Sequence, residues 1–191
     1  MKKLLIILTL TLCSIARSHA DNVREFQLDV ISLGDSALKY FTKEELKNSA
    51  EEFFYTNNTY KYYFLNTSKY KPYDAIQVTV KSNDPNYMIY SLDGISWINN
   101  LEECKKMMDE VEKDFKKISS SKGIVDKGKH SMDKTGESKY ERISFYFSDG
   151  AAEIICFDMS KKYEAEGKYD RFSVSLGLNE FNKFLLDVHY K

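Results

Sequence analysis

The dipeptide Asp149-Gly150, set between two alternating segments, constrains this chain more than any other feature. Ahead of it, Ile143, Phe145 and Phe147 alternate with Ser144, Tyr146 and Ser148. Side chains two apart share one face of a strand, and Asp-Gly between apolar alternations is a strong two-residue hairpin signal. With Asp149 and Gly150 as the turn, Phe147 faces Ala152, Phe145 faces Ile154 and Ile143 faces Cys156. Cys156 then lies on the buried face of an antiparallel ribbon, where a covering helix reaches it.

Residues 101–118 predict that helix. Leu101, Cys104, Met107, Met108, Val111, Phe115 and Ile118 recur at three- and four-residue steps and fall on one stripe. Asn100 caps the start with Glu103 three residues on, and Lys116 and Lys117 sit at the negative end of the helix dipole. Cys104 therefore points at the sheet. The two patterns, read separately, predict a Cys104–Cys156 disulfide. It would close a loop of about 50 residues and contribute roughly 4 kcal/mol by loop-closure entropy. Two buried free thiols are the alternative.

The start of the chain gives an address. Met1-Lys2-Lys3, an apolar run over 4–15 and Ser18-His19-Ala20 form a signal peptide over 1–20, cut before Asp21. The run is short for a bilayer, and Leu12 before Cys13 disfavours lipidation. No later segment reads as transmembrane. Residues 21–191 read as one domain. Without Lys2, Lys3 and Arg17, 25 of the 28 basic residues remain against 29 acidic ones, a net charge near −4. A mildly acidic chain with interspersed signs has no electrostatic reason to seek nucleic acid. Cys13 leaves with the leader, and a remaining pair of cysteines in an exported chain suits one bridge.

Elsewhere, residues 30–36 read as an extended lead-in, and Thr42 caps a helix that runs to about Phe54. Residues 60–65, 75–81 and 87–92 read as strands, Asp93-Gly94 as a turn or bulge, and 95–98 as extended. Residues 122–139 read as a mobile charged loop with a short strand at 123–125, and 161–168 as another loop. Residues 171–176 form a strand broken at Gly177, and Asn179 caps a terminal helix bearing Phe181, Phe184, Leu185 and Val188. The expected fold is α+β, an antiparallel sheet of five to seven strands with helices packed on one face.

The lysine-rich leader, Val30-Ile31-Ser32-Leu33-Gly34-Asp35-Ser36, Tyr73-Asp74-Ala75-Ile76-Gln77-Val78 and Asn99-Asn100-Leu101-Glu102-Glu103-Cys104 resemble a group of uncharacterised small exported proteins of AT-rich marine alphaproteobacteria. That resemblance covers most of residues 21–191 and implies a Gram-negative envelope. Ile31-Ser32-Leu33-Gly34-Asp35-Ser36 before a short helix also resembles the start of β-lactamase-inhibitor-like and outer-membrane-assembly periplasmic domains. The chain departs from those in its long central helix and its want of a lipidation cysteine.

Chemistry-bearing residues are sparse. After the leader, histidines remain at His130 in the charged loop and His189 at the C-terminus, neither in a setting rigid enough for a catalytic triad. Asp126, His130 and Asp133 lie near one another without zinc or calcium spacing, so no metal and no cofactor is expected. Glu153 falls opposite Tyr146 on the solvated face, and Glu141 and Asp158 flank the same hairpin. Between residues 53 and 73, Tyr60, Tyr62, Tyr63 and Tyr70 interleave with Lys61, Lys69 and Lys71, a pattern suited to stacking a ligand or to an edge strand. The expected function is a periplasmic, non-enzymatic module binding an envelope protein or small ligand through this stretch or the outer sheet face. The alternatives are a periplasmic hydrolase with a dispersed site and a structural envelope protein.

Overall fold

Two four-stranded meanders, each running inward from an edge, build the sheet. The computed structural model describes residues 20–49, 51–67, 69–98, 100–130, 133–167 and 169–189. Residues 1–19 of the expected leader lie outside the described residues. A small hairpin, β1 (Gln27–Leu28) and β2 (Ile31–Ser32), precedes a short helix α1 (Lys43–Lys47). The first meander is β3 (Glu51–Phe54), β4 (Tyr60–Asn66), β5 (Ala75–Lys81) and β6 (Ile89–Trp97). Helix α2 (Leu101–Ile118) crosses the sheet to the far edge. From there β7 (Ile124–Lys129), β8 (Lys139–Tyr146), β9 (Gly150–Asp158) and β10 (Arg171–Leu178) return to the centre, with α3 (Lys161–Ala165) before β10. The order is β3-β4-β5-β6-β10-β9-β8-β7, and every neighbouring pair is antiparallel.

The fold is α+β, but the main sheet has eight strands where five to seven were expected. The added strand at Glu51–Phe54 and the strand at Ile124–Lys129, expected only over 123–125, are the two edges. The helix expected from Thr42 stops at Lys47, although Thr42 and Glu45 form the reciprocal cap, at 3.0 Å and 2.6 Å. Glu51–Phe54 then pairs with β4, and the Phe53 ring stacks on Tyr62 across the strands at 5.3 Å. Ile124–Lys129, within the expected loop, pairs with β8 along six residues. An edge strand has one ladder and little burial, so neither sequence needs the alternation that marks a central strand.

Cys104, Met108, Val111 and Phe115 bury the apolar stripe of α2, and Asn100 Oδ1 accepts from the Glu103 amide at 2.9 Å. Phe115 stacks between Phe26 and Phe145, with both centroid distances 5.0 Å. The Cys104–Cys156 disulfide forms, with Cα atoms 5.9 Å apart, and both residues are fully buried.

The hairpin register differs from expectation by two residues. Phe145 faces Ala152, Ile143 faces Ile154, and Glu141 faces Cys156. The turn centres on Ser148-Asp149, with the Phe147 amide donating to the Gly150 carbonyl at 2.9 Å. Gly150 is a glycine because a Cβ there would stand 2.2 Å from the Gly177 carbonyl oxygen, not because the turn requires it. Asp149 instead accepts from the Val23 amide at 2.6 Å, and Ser148 bonds Asp21 and Asn22, anchoring the N-terminal segment. A shift of two preserves face parity, so Cys156 remains on the side of α2.

The helices do not share one face. Ala152, Ile154 and Cys156 face α2 with Phe172, Val174 and Leu176, so Gly177 belongs to the opposite face. A Cβ on Gly177 would meet Asn182 of α4 (Asn179–Phe184) at 2.6 Å. The C-terminal helix and its π-turn, Leu185–His189, therefore cover one end of the second face, burying Phe181 against Tyr60 at 5.1 Å. Asp93-Gly94 is the interior of β6 rather than a turn; a Cβ at Gly94 would lie 2.5 Å from the Tyr73 ring. Among the described residues no helix is long and apolar enough to cross a membrane.

Candidate functional site

Beyond α4, no other helix among the described residues packs on the second face of the sheet, although Ala75, Ile95, Ser144 and Ser173 on it are buried, and its cross-strand register sorts its side chains into rows. At the end far from α4, Phe157, Arg171 and Trp97 are successive neighbours across β9, β10 and β6. The next row carries the short or compact side chains Ile155, Ser173, Ile95 and Ala75. The third runs Ser144, Glu153, Ser175, Asp93, Gln77 and Phe64. Alternation on each strand puts these groups on one face, and the antiparallel register lines them up.

The third row is hydrogen-bonded in two stretches, Ser144 to Glu153 and Ser175 through Asp93 to Gln77. Asp93 accepts from Gln77 Nε2 at 3.1 Å and from the Ser175 hydroxyl. Glu153 accepts from Ser144 at 3.0 Å and pairs with Arg142 at 3.2 Å, and Arg142 also holds Asp126 at 2.9 Å. Burial pushes the Asp93 carboxyl up to about 6, the charge of Glu153 adds to this, and the bonds from Ser175 and Gln77 oppose it. Asp126 is held below the usual carboxylate range by its bonds from Tyr140 and Arg142.

Arg171 is the exception to this pairing. Its guanidinium lies 4.3 Å from the Phe157 ring centroid, yet among the described residues it makes no hydrogen bond and no ion pair within 4.0 Å. Burial lowers its pKa, against the opposing charges of Asp93 and Tyr62, and an arginine so placed stays protonated. Trp97 and Tyr169, whose rings meet edge-on at 6.4 Å, are 41% and 54% exposed and stand beside it, with Phe64 on the other side of Trp97. The result is a cluster of aromatic rings set at angles to one another, beside a cation held over Phe157 and next to a row of oriented polar groups. Such a surface suits recognition of a polar ligand with an apolar face.

Of the tyrosines singled out in the sequence, Tyr60, Tyr63 and Tyr70 are buried at 2–3% exposure and Tyr62 is half-buried. Tyr60 packs on Phe181, Phe184 and Tyr90, while Tyr70 donates to the Tyr40 carbonyl at 2.9 Å. Glu153 faces Ser144, not Tyr146. Asp126 and Asp133 serve separate networks. Buried Asp133 accepts from both the amide and hydroxyl of Ser138 and of Thr135, which holds its carboxyl far below the usual range. The His130 ring packs on Phe157 at 5.5 Å. Among the described residues no group of three or more His, Cys, Asp or Glu is placed to hold a metal ion.

Two grooves lie elsewhere. One of about 300 Å³, beside Leu101 and Cys156, is rimmed by Lys127, Lys129 and Lys139, with Glu141 bridging Lys127 and Lys105 at 2.8 Å and 3.7 Å. The other, of about 500 Å³, lies between α1 and β4. Sequence reasoning missed Asp93, Trp97 and Arg171 as a group. The alternation over 171–176 places Arg171 and Ser175 outward, but the β6–β10 pairing that brings them to Trp97 and Asp93 spans about 80 residues and leaves no local signal. Comparison with protein-family profiles, curated proteins and solved structures returned no match.

Proposed function

We propose that this chain is an exported periplasmic module that binds a small ligand or another envelope protein through the open face of its sheet and does not transform it. The observation that carries the reading is Arg171, a partly buried cation without an ion-pair partner among the described residues, lying over the Phe157 ring with Trp97 its cross-strand neighbour. Burying a guanidinium without a bonding partner is costly, and a ligand oxygen over this face supplies one. The Cys104–Cys156 bridge supports an oxidising compartment. The leader over residues 1–20 supplies the route.

Affinity capture from an envelope extract, alongside thermal-shift screening, tests the reading. It expects a retained protein, or a ligand-induced rise in Tm, that Arg171→Ala and Asp93→Asn both abolish. Capture and shifts that are absent, or unaffected by either substitution, would overturn it. A hydrolase is the second reading, favoured by one observation: Asp93, with its raised pKa, shares a row with Glu153, which pairs with Arg142 at 3.2 Å. It requires turnover of the bound molecule that disappears in Asp93→Asn.

A further inference from the structure

We infer that the ligand of the open face is a neutral saccharide, with a pyranose ring seated on Trp97 and its hydroxyls held by Arg171, Asp93 and Gln77. This rests on the open face being a binding face and adds the chemistry of its occupant. Four observations bear on it. Trp97 presents an exposed indole between Phe64 and Tyr169, and a flat aromatic face takes the C–H side of a sugar ring. Arg171, its cross-strand neighbour, offers N–H donors that no group among the described residues accepts.

Next, Asp93 and Gln77 form an acceptor and an amide already locked together at 3.1 Å, with Ser175 fixing the other carboxylate oxygen. Planar side chains held in place in this way match vicinal hydroxyls, each of which donates once and accepts twice. One row of the register, Ile95, Ala75 and Ser173, all buried, separates Trp97 from this row.

The charge pattern argues against an anionic ligand. Asp93 and Glu153 lie in one row, and the charge of Glu153 disfavours ionisation of Asp93, so an anionic ligand would sit beside two carboxyl groups. It also argues against a peptide laid on the face. The strands here are central, with their ladders filled by β6, β9 and β10, and offer no free backbone edge for strand addition.

The chain has a single tryptophan, so its fluorescence reports from the proposed site directly. The purified protein is titrated with linear tetrasaccharides of glucose, of galactose and of N-acetylglucosamine, following Trp97 emission. The expected result is a saturable change with at least one of them, weakened by at least about tenfold in Arg171→Lys and in Asp93→Asn. Circular dichroism confirms that both variants are folded. No saturable change with any of the three overturns the saccharide assignment. If an envelope protein is still captured in an Arg171-dependent way, the binding-face reading survives that loss; if neither is seen, both fall. Cleavage of the added tetrasaccharide overturns the non-catalytic part of the account.

Discussion

Removing the Cys104–Cys156 bridge should lower stability by an amount set mostly by the length of chain it closes. The cysteines are 52 residues apart, and the closed loop contains all of β7 and β8 and most of β9. Loop-closure entropy for that length gives about 4 kcal/mol at 25 °C. Some of this is offset wherever the reduced chain keeps residual structure, so the working expectation is about 3–4 kcal/mol. For a chain of this size that corresponds to a fall in Tm of roughly 6–16 °C. The perturbation is Cys104→Ala with Cys156→Ala, compared with oxidised and with reduced wild-type protein in urea unfolding. The reduced protein and the double variant should agree within about 1 kcal/mol, since both sulfurs are buried and the alanines leave only small voids. A double variant within about 1 kcal/mol of the oxidised protein would refute the reasoning, because the staple would then constrain little of the unfolded chain.

Gly150→Ala should cost about 2 kcal/mol or more, read as a lower urea midpoint, since its Cβ would stand 2.2 Å from a backbone oxygen that cannot swing away. Phe115→Ala should cost about 3–5 kcal/mol in the same assay, because it empties the space between Phe26 and Phe145. Asp93 sets a pH dependence with an unusual sign. Its folded pKa, about 6, lies above the value of an unfolded aspartate, so the native state holds its proton more tightly. Its contribution is full below about pH 4 and is lost as pH rises through about 6, by up to about 3 kcal/mol. Asp93→Asn should flatten that part of the profile; a wild-type urea midpoint rising from pH 4 to 7 through this group would count against the burial described.

What the sequence made legible follows the strength of local patterning. The stripe of α2, the cap at Asn100 and the alternation over 75–81 are each written within a few neighbouring residues, and the structure reproduces those boundaries. The disulfide was legible because two such patterns meet in it. The turn at 148–149 was misplaced for a reason no local rule contains. Gly150 is needed by the passage of Gly177 on the neighbouring strand, and Asp149 by the Val23 amide far back in the chain. The strand at 51–54 was missed, and the one at 124–129 was expected only as a short strand at 123–125, because edge strands carry weak alternation, and the cap at Thr42 argued for a longer helix. The aromatic stretch over 53–73 drew attention by composition, yet Tyr60, Tyr63 and Tyr70 mainly fill the core. Arg171 and Trp97 come together only through the closing strand pair of the sheet.

Hydroxyl-radical footprinting of the native protein, read by mass spectrometry, tests the central claim directly: α2 closes one face of the sheet and leaves part of the other open. Trp97 and Tyr169 should label rapidly, while Met108, though intrinsically reactive, should be protected with Phe115 and Phe172 until the protein unfolds. Met108 labelling as fast in the native protein as in urea, or a Trp97 protected like the core, would contradict it.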